Sequence, residues 1–108
     1  MTMTDRTARI RALNDELRQT LLGGAALITP GVAALGDEAV RRLVQTVALF
    51  DDFHHDNDPY QEHDFGAFEA EGHQIFFKID LYEEPGVKGT DGEPVVARVL
   101  TIMLAEEY

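Results

Sequence analysis

The chain has 108 residues, 44% of them hydrophobic, and a formal net charge of -11. That length buries roughly two-thirds of the unfolded surface in one domain without metal or disulfide help, and the apolar share is ordinary for a globular protein, so a folded chain is expected. With no Cys and no Ser, disulfide frameworks, thiolate-held metal clusters and Ser or Cys nucleophiles are excluded as well.

Met1–Arg11 carries arginines with no apolar run behind them, so no secretory signal is expected. No apolar stretch approaches the roughly 18 residues a membrane span requires, and the expected protein is soluble and cytoplasmic. Thr4 can cap a helix over 5–22 whose apolar stripe is Ile10, Leu13, Leu17 and Leu21 and which stops at Gly23-Gly24. Arg9, Arg11, Glu16 and Arg18 are placed on its outer face. Ala25–Thr29 is short and apolar and reads as a strand, and Pro30-Gly31 as a turn. A second helix is expected over 37–50, burying Val40, Leu43, Val44, Val47 and Ala48, with Arg41 and Arg42 as surface ion-pair partners.

The next stretch, Phe50 to Gly66, holds three of the four histidines and six carboxylates, without a Lys or Arg. Its Asp56, Asn57 and Asp58 have the short side chains that close a turn before Pro59. Phe65–Ala70 and Gln74–Tyr82 alternate around Glu71-Gly72 and read as a β-hairpin. A two-residue turn sets His63 opposite Asp80 and Phe65 opposite Lys78. A three-residue turn over 70–72 sets Glu62 opposite Asp80 and Asp64 opposite Lys78, and is favoured because Glu sits poorly at positive φ. Residues 83–94 read as a loop. Val95–Leu104 is almost continuously apolar, as in a strand covered on both faces or facing a partner subunit. The expected fold is α+β, one domain over 1–108: two helices on one face of a small, mainly antiparallel sheet, in the order α-β-α-β-β-β.

Either register brings Glu62, His63 and Asp64 beside Lys78 and Asp80, with Tyr82 further along the same strand face. These six form the expected binding site. The alternative is catalysis by His63, Asp80 and Lys78, a His with a carboxylate being able to act as general base. Glu62, Asp64 and Asp80 are the alternative oxygen ligands for a hard cation such as Mg²⁺. Neither alternative has a motif around it: there is no H-E-x-x-H zinc pattern and no calcium-loop spacing. No cofactor is expected. The bland reading, an Asp64–Lys78 ion pair and a hydrogen-bonded structural His63, outweighs catalysis.

Charge is unevenly placed. Residues 1–42 carry six Arg against five acids, and residues 43–108 three basic groups against fifteen acids. Such a field repels nucleic acid and anionic membrane and steers basic partners inward. The expectation is a non-enzymatic accessory module that engages a basic protein, one specialised form being imitation of nucleic-acid charge; a homodimer is also compatible. The other class of reading is a small hydrolase or metal-dependent enzyme built on the Glu62–Asp64, Lys78 and Asp80 groups.

The strings L-N-D-E-L-R at 13–18, D-N-D-P-Y-Q-E-H-D-F-G at 56–66, K-I-D-L-Y at 78–82 and R-V-L-T-I-M-L-A-E-E-Y at 98–108 resemble a family of small bacterial proteins known as domain of unknown function 3768. Members tend to read W-K-I-D-Y-Y-D where this chain has Phe77, Leu81 and Glu83, exchanges that keep Lys78, Asp80 and Tyr82. The resemblance carries no assigned activity. It implies small bacterial proteins often found on plasmids or other mobile elements, in accessory roles.

Overall fold

A computed structural model describes residues 4–88, 92 and 94–108. Helix α1 (Asp5–Thr20) starts at Thr4, whose hydroxyl accepts the Thr7 N–H, and ends at Leu21 in a left-handed conformation. Strand β1 (Ala25–Ile28) follows, and then, where a turn was expected, the short helix α2 (Pro30–Ala33). Proline at the first helical position has its φ already set and no N–H to lose. The turn gives way to a helix because Val32 can then be fully buried. Helix α3 (Asp37–Leu49) buries Ala39, Leu43 and Val47, with Val40 and Val44 partly covered. Arg41 pairs with Glu38 as expected; Arg42 reaches across to Glu71.

Strands β2 (Phe65–Ala70), β3 (His73–Lys88) and β4 (Pro94–Leu104) complete a four-stranded sheet in the order β1-β4-β3-β2. The protein is α+β, with three α-helices rather than two among the described residues. Its sheet is mixed: β1 runs parallel to β4, and the other two pairings are antiparallel. The segment expected to be a loop is partly strand, since β3 continues to Lys88; residues 89–91 and 93 lie outside the described residues. A 3-10 turn over Ala105–Glu107 ends the chain.

The hairpin takes the two-residue turn, with Glu71 at φ 55° and Gly72 at φ 75° and Phe65 opposite Lys78. The three-residue alternative is overturned for a physical reason. Slipping the register by one residue would turn Glu69 into the core and Phe68 out to solvent. Against that, the cost of a left-handed glutamate is about 1 kcal/mol. Arg42 Nε, 2.6 Å from Glu71 Oε1, also holds the turn residue in place.

Ile75, Phe77, Ile79, Leu100, Ile102 and Leu104 line one sheet face and meet Leu17, Val32, Leu43 and Val47 from the three helices. β4 is therefore covered by helices on one face, not both. Its other face, with Val99, Thr101 and Met103, lies beside Phe76, Lys78, Asp80 and Tyr82 of β3. The C-terminal turn brings Tyr108 edge-on to Phe65 and Phe76 on that face.

Candidate functional site

The polar centre of the molecule lies where α1 meets the segment between α3 and β2. The helix docks by a face rotated from its apolar stripe: Asn14 and Arg18 are each only 3% exposed, whereas Leu13 and Leu21 are partly open. Arg18 is thus buried, not outward-facing. Its Nη1 donates to the carbonyls of Val47, Ala48 and Phe50, at 2.9, 3.2 and 2.6 Å, at the negative end of the α3 dipole. Its Nη2 donates to Asp15 Oδ1 at 2.9 Å. Asn14 Nδ2 donates to Glu62 O and Asn14 Oδ1 accepts from Arg98 Nε; Arg11 Nε donates to Gln61 O. An irregular segment with inward-facing carbonyls needs donors, and α1 supplies them.

The segment closes on itself as its Asx side chains require. Asn57 Oδ1 accepts the His54 N–H, and buried Asp58 Oδ1 accepts the N–H groups of Glu62 and His63. Gln61 and His63 have positive φ, which turns the chain off the line of β2. His63 therefore never reaches a position opposite Asp80. Its ring stacks on Phe53 at 3.9 Å and 6°, with Nδ1 2.9 Å from Asp15 Oδ1 and Nε2 3.6 Å from Asp58 Oδ2. His63, Asp15, Arg18, Phe50 and Phe53 border an open cavity of about 610 Å³.

The other expected residues separate into two places. Lys78 and Asp80 lie on the outer sheet face, Nζ 2.9 Å from Asp80 Oδ2, a contact that holds the lysine pKa above its ordinary value. The expected Asp64–Lys78 pair is replaced by this Lys78–Asp80 pair, because Phe65 takes the position opposite Lys78. Tyr82 continues the same face. Glu62 and Asp64 meet Asp80, Arg6 and Arg98 in a second pocket, at the edge of β3 left open where β2 ends. The catalytic trio is divided, with His63 turned to α1 and Lys78 on the outer face. Among the described residues, no three His, Asp or Glu side chains are arranged to hold a metal ion, so Glu62, Asp64 and Asp80 share a pocket without forming a ligand set.

Burial, then the Asp64 charge and the Asp58 charge, raise the Glu62 pKa, against a lowering by Arg6. Burial also raises that of Asp64, with Asp58 and Asp80 adding to it and a backbone hydrogen bond and His63 opposing. A raised folded-state pKa contributes stability below the unfolded value that is lost as pH rises through the folded one. Asp64→Asn is therefore expected to raise Tm at neutral pH, the gain fading as pH falls to about 4, the ordinary aspartate range. Calorimetric melts across that range check this; an equal or larger gain in acid would contradict it. Glu107 behaves oppositely: Thr29 Oγ1, Leu104 N–H and Gly31 N–H donate to its carboxylate and hold its pKa low.

The partners Asn14, Asp15, Arg18 and Phe53 were not among the expected site residues, although a signal existed. Positions 14, 17, 18 and 21 also follow the spacing of one buried helical face. Nothing in the spacing said that the polar members were the ones to be covered.

These features define a small α+β protein in which a carboxylate- and histidine-rich segment is clasped to the first helix beneath a four-stranded mixed sheet. The chain belongs to the family described as protein of unknown function (DUF3768), whose model matches residues 28–107. The match takes in Asp58, His63 and the whole hairpin, while α1 lies outside it. No curated protein and no solved structure matches the chain. Among the described residues, no helix is long and apolar enough to cross a membrane.

Proposed function

We propose that this protein is a non-enzymatic binding module whose outer sheet face receives a basic protein partner. The observation that carries the reading is the layering of charge over a sheet face that the three helices leave open and only the C-terminal turn partly covers. Six arginines belong to α1 and α3, and of these Arg18, Arg41 and Arg42 are paired with Asp15, Glu38 and Glu71. On the outer face Lys78 is paired with Asp80, which neutralises it. Around that pair lie Phe76, Tyr82, Val99 and Thr101, with Glu69 on β2, and with Glu62 and Asp64 at the edge in the pocket they share with Arg6 and Arg98. Apolar surface framed by carboxylates suits a partner that brings Lys or Arg around an apolar centre. The same field disfavours nucleic acid and anionic membrane.

A lysate of a bacterium that carries the protein, passed over the immobilised chain, tests this. A basic protein should be retained at low salt, released as salt rises, and lost with Thr101→Arg at the middle of the face, while Arg41→Ala on the helical side changes nothing. Retention indifferent to salt or to Thr101→Arg would sink the proposal.

A small hydrolase is the second reading, favoured by the Asp15–His63 contact beside the 610 Å³ cavity. A carboxylate on Nδ1 is what a positioned base needs. The base must also offer Nε2 to a substrate, and here that nitrogen faces Asp58, so the binding reading is preferred.

A further inference from the structure

Strand β1 is the edge of the sheet beside β4, and all four of its residues are exposed. Thr29 N–H donates to Ile102 O of β4. Successive strand residues turn their backbone groups to alternate sides, so Ala25 and Leu27 also address β4. Ala26 and Ile28 then present their N–H and C=O to the free edge. Edge strands are ordinarily protected by lysine, proline, a bulge or a covering element. Among the described residues, none of these protects β1. From Gln19 to Gly36 there is not one Asp, Glu, Lys or Arg, in a chain of net charge -11. Leu22, Leu27 and Ile28 are 64, 56 and 40% exposed there.

We propose that a second copy of the chain pairs at this edge, β1 against β1 and antiparallel, about a two-fold axis at Leu27. The two four-stranded sheets would become one of eight strands. Backbone donors and acceptors left open along a strand select another strand as occupant. Charge selects a copy of the same chain. Two molecules that repel over most of their surface can approach along their one long uncharged stretch, whereas a basic partner finds no carboxylate on it to grip. In this register Ala26 of one copy faces Ile28 of the other, twice, so both outward-facing residues exchange their hydrogen bonds. Leu27 meets its own counterpart as a non-hydrogen-bonded pair, the closer kind of cross-strand contact. This pairing does not rest on the docking reading above, and it would make the two outer faces continuous.

Sedimentation velocity on the full chain, over a concentration series in low and high salt, tests the inference. The expected species has twice the 12.0 kDa of the chain. It should tighten as salt screens the repulsion, opposite in sign to the capture of a basic partner. Ala26→Pro removes only an N–H that faces the free edge, and its ring keeps Ala25 in the extended conformation it already has. Leu27→Lys sets two like charges together at the axis. Either substitution should weaken self-association on the order of 100-fold or more, with far-UV circular dichroism unchanged. Should Ala26→Pro unfold the chain, Leu27→Lys still gives the reading. A wild-type monomer throughout, a dimer that weakens with salt, or one that survives Leu27→Lys would overturn the proposal.

Discussion

Arg18→Ala is expected to lower the unfolding free energy by about 3–5 kcal/mol, the range for breaking a buried, hydrogen-bonded charge pair from one side. The guanidinium satisfies three carbonyls around the end of α3 together with Asp15. Removing it takes the guanidinium donor from the Ala48 and Phe50 carbonyls, leaves Val47 O with the Phe50 N–H, and leaves Asp15 with His63. Its Cζ also lies 5.2 Å from the centre of the Phe53 ring, so aromatic contact goes with it. Arg18→Lys should recover little, since a single ammonium cannot span the Asp15 carboxylate and the carbonyls at once. Urea titrations of the three proteins decide the matter. A loss below about 1 kcal/mol for Arg18→Ala, the size of one ordinary surface contact, would mean that the clasp does not hold α1 to the fold.

Gly66→Ala comes next, with an expected loss of about 2–3 kcal/mol from overpacking. Gly66 stands opposite Phe77 in the hairpin, and a Cβ placed there runs into the Phe77 ring and comes within 2.7 Å of Phe50 Cε1. Phe77 is fully buried, and Phe50 and Phe53 meet it edge-on at 5.2 and 6.3 Å, so the ring has nowhere to retreat. Phe77→Leu alone should also destabilise the protein. Placed in the Gly66→Ala background it should cost less, with a coupling of about 1 kcal/mol or more in a double-mutant cycle of denaturant midpoints. Strict additivity would show that the missing Cβ at Gly66 is not what accommodates the ring.

Helix α3 and the hairpin could be read from periodicity, because each buries an apolar set at regular spacing; α1 was legible as a helix though it docks by a rotated face, and β1 only as a short apolar run before Pro30-Gly31. The hairpin register was legible too, had the faces been weighed above the turn: only one pairing keeps Phe68 in and Glu69 out. The site was less so. His63 and Lys78 stand close along the chain pattern, but two residues at positive φ, Gln61 and His63, separate them, and left-handed conformations outside glycine leave little trace in sequence. The helix end of the clasp was hidden for another reason. An arginine in a helix reads as solvent-facing until the carbonyls that bury it are known, and those belong to residues some thirty positions away.

The parallel pairing of β1 with β4 also constrains how the protein is made. Leu27 waits for Thr101, 74 residues later in the chain (101 minus 27), before its strand has a neighbour. At ribosomal speeds of about 5–20 residues per second, that interval lasts roughly 4–15 seconds. Throughout it the longest uncharged stretch of the nascent chain is without the strand that pairs with it. The segment that carries the open edge strand is thus also the one that waits longest for its sheet neighbour during synthesis.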